Sequence, residues 1–270
     1  MKPLRARRLA IALVAVLLVA GVSIAWAARP LLRSTDGFLA WPSDPRVRYE
    51  PGAEIMASQV AAALPAAIVV VEDGLYRPFL EPPTIYVCAS LATFGSYGGD
   101  VKSGGYVLNG RLFLSPKPEN TAERVPRLVT HELTHLHHDQ RLGALRGRRL
   151  PVWFGEGLAA FVSGGAGAEN VSEAEARRAI AQGHVFVPEA SAGFFHRSSA
   201  STYGMSAHLF YREGAMFLAS LQHRDAGAFR RFLLAVEDGQ AMEPAFEEAF
   251  HETLAAAFER FVTGEGKGEP

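Results

Sequence analysis

Cysteine is all but absent from this chain. Cys88 is the only one in 270 residues, so no internal disulfide can form, and Cys88 reads as a small buried hydrophobe on a strand. Charge is sparse too, at 20% of residues, and nearly balanced, with 27 basic against 28 acidic side chains. No basic run interleaved with aromatics occurs, which removes the footprint a nucleic-acid binder needs. No internal repeat is found, and the only low-complexity stretch is the Gly/Glu/Lys tail after Thr263. Apolar residues are plentiful at 49%, enough for a sizeable core in one large domain or in two lobes of one.

The longest uncharged run comes first. Lys2, Arg5, Arg7 and Arg8 precede a stretch from Leu9 to Ala28 that is long enough to span a bilayer. The cations hold the start in the cytoplasm and place everything after Ala28 outside it. The length of the run favours an uncleaved single-pass anchor in the cell membrane. Ala25-Trp26-Ala27 also forms a small-x-small cleavage site, which would make residues 1–28 a signal peptide and the protein secreted or periplasmic. Without those four cations, 23 basic residues face 28 acidic ones, a formal net charge of −5. Residues 29–51 contain several prolines and read as a linker, 52–263 as the folded domain, and 264–270 as a flexible tail.

Ala53 to Leu75 has the Ala-rich periodicity of a packed helix lying behind a sheet. Short strand signals follow between Thr84 and Ser115, bounded by Gly-Gly pairs and by Pro116 and Pro118. From residue 121 onward the periodicity predicts helices over 121–140, 151–162, 172–182, about 200–222, 225–237 and 243–263. Strands first and helices after argue for an α+β fold.

The chemistry concentrates in His131-Glu132-Leu133-Thr134-His135. On a helix, two His at i and i+4 project from one face and can reach a single Zn²⁺. Glu132 points about 100° around the helix, where it can act as a base without being a ligand. Pro126 is tolerable only in a first turn, so the regular helix begins near Val125, and Gly143 is a credible stop. A catalytic zinc also wants a third protein ligand. Pro151 opens a second helix whose Trp153, Phe154, Leu158 and Phe161 recur at helical spacing, and Glu156 is the one carboxylate inside that apolar run. An isolated charge there costs several kcal/mol unless it is paired or bound to metal. Gly155 and Gly157 flank it and permit close approach to the first helix.

His131-Glu132-x-x-His135 followed by Trp153-x-x-Glu156-Gly157-Leu158-Ala159 resembles the gluzincin branch of the zincins, and more narrowly the exported bacterial peptidase-MA-like family. The resemblance extends diffusely over residues 50–263, through Thr84–Cys88, Leu91–Phe94, Gly104–Ser115 and the C-terminal helices around Phe246–Phe261. His251 stands where the family usually has Gly. The resemblance implies a zincin-like fold: a small mixed β-sheet lobe with the active-site helix, then a mostly helical C-terminal lobe. It implies one Zn²⁺ held by His131, His135 and Glu156, Glu132 as general base and acid, and a peptide or protein substrate. By the same resemblance Arg111–Ser115 is the strand next to the active-site helix, offering its edge to an extended peptide. Tyr211 resembles the family's metal-facing Tyr, a donor to the oxyanion, with Tyr203 and His208 as alternatives.

His137 and His138, near the end of the first helix, read as surface residues suited to the helix dipole. Asp139 reads either as a partner for the second N–H of His135 or as a plain helix-end carboxylate. The Arg141–Arg149 cluster reads as a solvated loop, or as a contact for acidic substrate or lipid headgroups. The function expected is zinc-dependent peptide hydrolysis by water. The competing readings are a non-catalytic zincin-like module binding peptide or envelope material, and a metal hydrolase acting on a non-peptide amide.

Overall fold

Alternation of side chains along three short strands builds the sheet. Val47, Ile85, Val87, Leu112 and Leu114 face the main core, while Tyr86, Cys88 and Phe113 face a smaller cluster with Phe38, Phe94 and Tyr97. The computed structural model describes residues 29–117, 120–193 and 197–264. The N-terminal segment read as an anchor or signal peptide, and the tail beyond Gly264, lie outside them. The strands are β1 (Leu39–Trp41), β2 (Asp44–Tyr49), β3 (Ile85–Val87), β4 (Gly105–Leu108) and β5 (Arg111–Leu114). They lie in the order β1-β2-β3-β5-β4, with β2, β3 and β5 parallel and the two outer strands antiparallel to their neighbours. Burial pushes the Cys88 thiol up to about 12, so the lone cysteine is inert core, as its strand position suggested.

Helix α1 (Glu54–Leu75) crosses from β2 to β3. Its buried Ala57, Val60, Leu64, Ala67, Val71 and Leu75 recur every three or four residues, the stripe of a packed helix. It is long and apolar enough to cross a bilayer by composition, but that stripe faces the protein core. A short α2 (Leu91–Ser96), capped by Ser90, follows β3. From residue 125 onward the chain is helical: α3 (Val125–Gly147), α4 (Val152–Val162), α5 (Glu173–Ala181), α6 (Ala207–Arg224), α7 (Ala226–Glu237), α8 (Met242–Phe250) and α9 (Leu254–Thr263). Strands gathered at one end of the chain and helices at the other make this an α+β fold.

Several expectations need correction. Residues 29–51 are more than a linker, since they supply β1 and β2, and Val47 enters the core. Arg111–Ser115 is not an edge, because β5 lies between β3 and β4. The edge toward α3 is β4, which folds back from β5 through the two-residue turn Asn109-Gly110, both with positive φ. The helix expected over 121–140 does stop at Gly143, whose backbone leaves the helical region (φ 67°, ψ 166°), and what the expectation lacked is the short second helical piece that continues beyond this kink to Gly147. The stretch 200–222 is a 3₁₀ turn over Ala200–Tyr203 and then α6, broken at Gly204. The stretch 243–263 divides at His251, whose left-handed backbone (φ 59°) closes α8, its amide donating a hydrogen bond to the Glu247 carbonyl.

Candidate metal centre

Two helices and one loop assemble the centre. Val125, Val129, Leu133 and Leu136 bury one side of α3, which leaves His131 and His135 a turn apart on another. Helix α4 starts after Pro151 and buries Trp153, Phe154 and Leu158, bringing Glu156 to the two imidazoles. The three residues offer ligand atoms within 4.8 Å of one another. His131 Nε2 lies 3.2 Å from His135 Nε2. Glu156 Oε2 lies 3.4 Å from the former and 3.7 Å from the latter. Ligands at zinc-bond length around a tetrahedron stand about 3.3 Å apart, so the set fits Zn²⁺.

The His131 ring is oriented for that role. His131 Nδ1 is 3.1 Å from the Ala166 carbonyl, which can only accept, so Nδ1 carries the proton and Nε2 keeps its lone pair. Gly167, at φ 80°, threads between the His131 ring and the Tyr211 ring; a Cβ there would lie 2.9 Å from the Tyr211 ring and 3.2 Å from His131 Cε1. Burial would raise the Glu156 carboxyl, but His135 and His131 hold it well below the usual carboxylate range. Burial opposes a charge on His135, yet Glu156 and Glu132 carry its pKa up to about 9. The cluster thus gathers one negative group and two nitrogen donors with a strong demand for a cation.

Glu132 stands beside the ligands and is buried. Burial raises its pKa, and the imidazoles of His131 and His135 work against the rise. Its carboxyl packs on the backbone of β4, whose Gly105 amide also hydrogen-bonds it, and a Cβ at Gly105 would lie 2.5 Å from Glu132 Cδ. The Gly104-Gly105 pair does more than bound a strand: it lets the edge strand rest directly on the Glu132 carboxyl.

Of the three donors considered for the oxyanion, only Tyr211 reaches the cluster. Burial first, then the neighbouring Glu156 carboxylate, push its phenol up, so it stays protonated. Tyr203 Oη donates instead to the Val187 carbonyl at 3.0 Å, and His208 faces Asn170 and Glu169. Asp139 accepts from the Gly110 amide at 2.7 Å, which ties α3 to the β4–β5 turn.

The surface role expected for His137 and His138 is overturned, for both are buried. His137 Nδ1 lies 3.0 Å from Glu237 Oε1 and its Nε2 3.1 Å from the Arg77 carbonyl. His138 stacks on Phe154, and burial drives its pKa down to about 3. Arg141 completes the group, 3.6 Å from Glu237 Oε2, so it is no solvated loop residue. This buried cluster fastens the C-terminal half of α3 to α7, behind the metal ligands. Comparison with models of known protein families and with curated proteins finds no match.

Proposed function

We propose that this protein is a zinc-dependent peptidase of gluzincin type. One observation carries the reading: His131, His135 and Glu156, spaced so that they could share one Zn²⁺, have a buried carboxylate, Glu132, beside them that is not one of the three. A module that only binds has no use for that carboxylate. When bound, zinc supplies Lewis acidity, lowering the pKa of water and polarising a carbonyl. Glu132 takes the proton from the attacking water and delivers it to the leaving amine. Its buried setting, which raises its pKa, suits a group that must both accept and release a proton near neutrality. Tyr211 donates its phenolic hydrogen to the oxygen on which negative charge develops. The outer edge of β4 supports an extended peptide by main-chain pairing, with Gly105 setting its height above Glu132. The basic start and long apolar run of residues 1–28 support a domain held outside the cytoplasm, anchored or released.

Metal analysis and peptide turnover of the full chain test the reading. His135→Ala and Glu156→Ala should lose zinc. Glu132→Gln should keep it while turnover falls by about 10²–10⁴-fold, and Tyr211→Phe should cost about 10²–10³-fold at most. A Glu132→Gln protein with both its zinc and its full rate would remove the assignment.

A further inference from the structure

The catalytic groups leave unused two cations beside the metal centre. Arg148 belongs to the turn between α3 and α4, and Arg197 to the irregular chain between α5 and α6. One main-chain and one side-chain hydrogen bond hold the two stretches together. The Ala192 amide donates to the Arg149 carbonyl at 2.9 Å, and Arg197 Nη2 donates to the Leu150 carbonyl at 3.1 Å. Leu150 directly precedes Pro151, where the helix carrying Glu156 begins. Both cations therefore sit at the start of α4.

The charge of Arg197 reaches the ligands, and that of Arg148 reaches Arg197. Glu156 favours the Arg197 charge, and Arg197 opposes a charge on His135. Burial, then the like charge of Arg148, lower the Arg197 pKa, so the pair stands in mutual repulsion. Among the described residues, neither arginine has a carboxylate within ion-pair distance. The metal cluster is also unevenly exposed. His135 and Glu156 keep about a quarter of their side-chain surface, whereas His131 keeps 7%. A chain with an excess of acidic residues would repel an anionic substrate overall, so a local pair of cations beside the open ligands matters more.

We propose that Arg148 and Arg197 form a carboxylate subsite, and that the substrates are peptides bearing a carboxylate next to the scissile bond. That carboxylate is an acidic side chain or the C-terminus itself. A bound carboxylate relieves the repulsion between the two cations, and its two oxygens accept parallel hydrogen bonds donated by a guanidinium fork. This inference rests on the peptidase reading for its substrate class.

Binding without cleavage provides the test. The full chain carrying Glu132→Gln, loaded with zinc, is titrated with fluorescent peptides in matched pairs: Glu against Gln, and free C-terminus against amide. Loss of the charge should weaken binding about ten- to hundredfold in one of the pairs, and which pair responds identifies the source of the carboxylate. Adding Arg197→Gln, or separately Arg148→Gln, should shrink that ratio toward one, with zinc content measured on each variant to show the site is assembled. Equal affinity across each pair, no binding of any peptide, or a ratio unmoved in both zinc-loaded variants overturns the subsite. Turnover by the unsubstituted chain separates the two claims. Hydrolysis without charge preference keeps the peptidase and removes the subsite; charge-dependent binding without hydrolysis does the reverse.

Discussion

Glu213 is a buried carboxyl that the proposed chemistry does not use. It lies on α6, and neither of its oxygens has a well-formed hydrogen bond. Burial pushes its pKa up to about 8, with only the Phe186 amide favouring the charged form. The folded protein therefore holds a proton here that the unfolded chain releases near its ordinary 4.5. Between those values the folded state binds more protons, so stability falls as pH rises from about 4.5 toward 8. One such group contributes at most about 1.4 kcal/mol per pH unit. Thermal unfolding followed from pH 5 to 8 should show a flatter profile for Glu213→Gln than for the parent; superimposable slopes would mean that Glu213 is ionised throughout. Such a group is invisible in the sequence, as are the partners of His137 and His138. Their carboxylate, Glu237, is a hundred residues away, and a dipole argument confined to one helix cannot find it. The grouping of His131, His135 and Glu156 was legible because helical spacing pairs the two imidazoles, a lone carboxylate in an apolar run needs a partner, and the resemblance joins the two motifs. Arg197 was not, because it sits on irregular chain with no period to read.

Among the elements, the end of α8 invites a direct test. His251 adopts a left-handed conformation that costs a residue with a Cβ about 1 kcal/mol, and its side chain is exposed. His251→Gly should raise the melting temperature by about 2–4 °C without touching the metal ligands. An unchanged or lower value would show that the imidazole contributes more than the backbone loses. The periodicity predicts one helix through this position, and only the Gly that the resembled family usually has there points to the break. Strand order was harder to read. Asn109-Gly110 announces a hairpin, but nothing local says which of its two strands pairs with β3. That choice depends on Leu112 and Leu114 entering the core beneath α1, a long-range fact.

For the molecule as a whole, the metal should act as a clamp. Its ligands come from α3 and α4, and the same α3 is tied to β4 through Glu132 and to α7 through Glu237. A ligand that binds only the folded state stabilises it by about 2.7 kcal/mol at a hundred times its dissociation constant. Zinc at that excess should raise the melting temperature by about 5–10 °C over the chelated protein, with the gain lost in Glu156→Ala. A melting temperature indifferent to zinc and chelator would count against a site formed by folding.

Helix α4 crosses α6 at Gly157 and Gly214, where a Cβ on Gly157 would come within 2.8 Å of the Gly214 carbonyl carbon, and one on Gly214 within 2.9 Å of the Trp153 carbonyl oxygen. Glu156 adjoins one side of this crossing and Tyr211 lies less than a turn from the other. The gap between carboxylate and phenol is therefore gauged by bare main chain, with no side chain as a shim. Substitution at the crossing offers no fine adjustment: a single methyl group would wedge the two helices apart and carry the Tyr211 phenol out of register with Glu156.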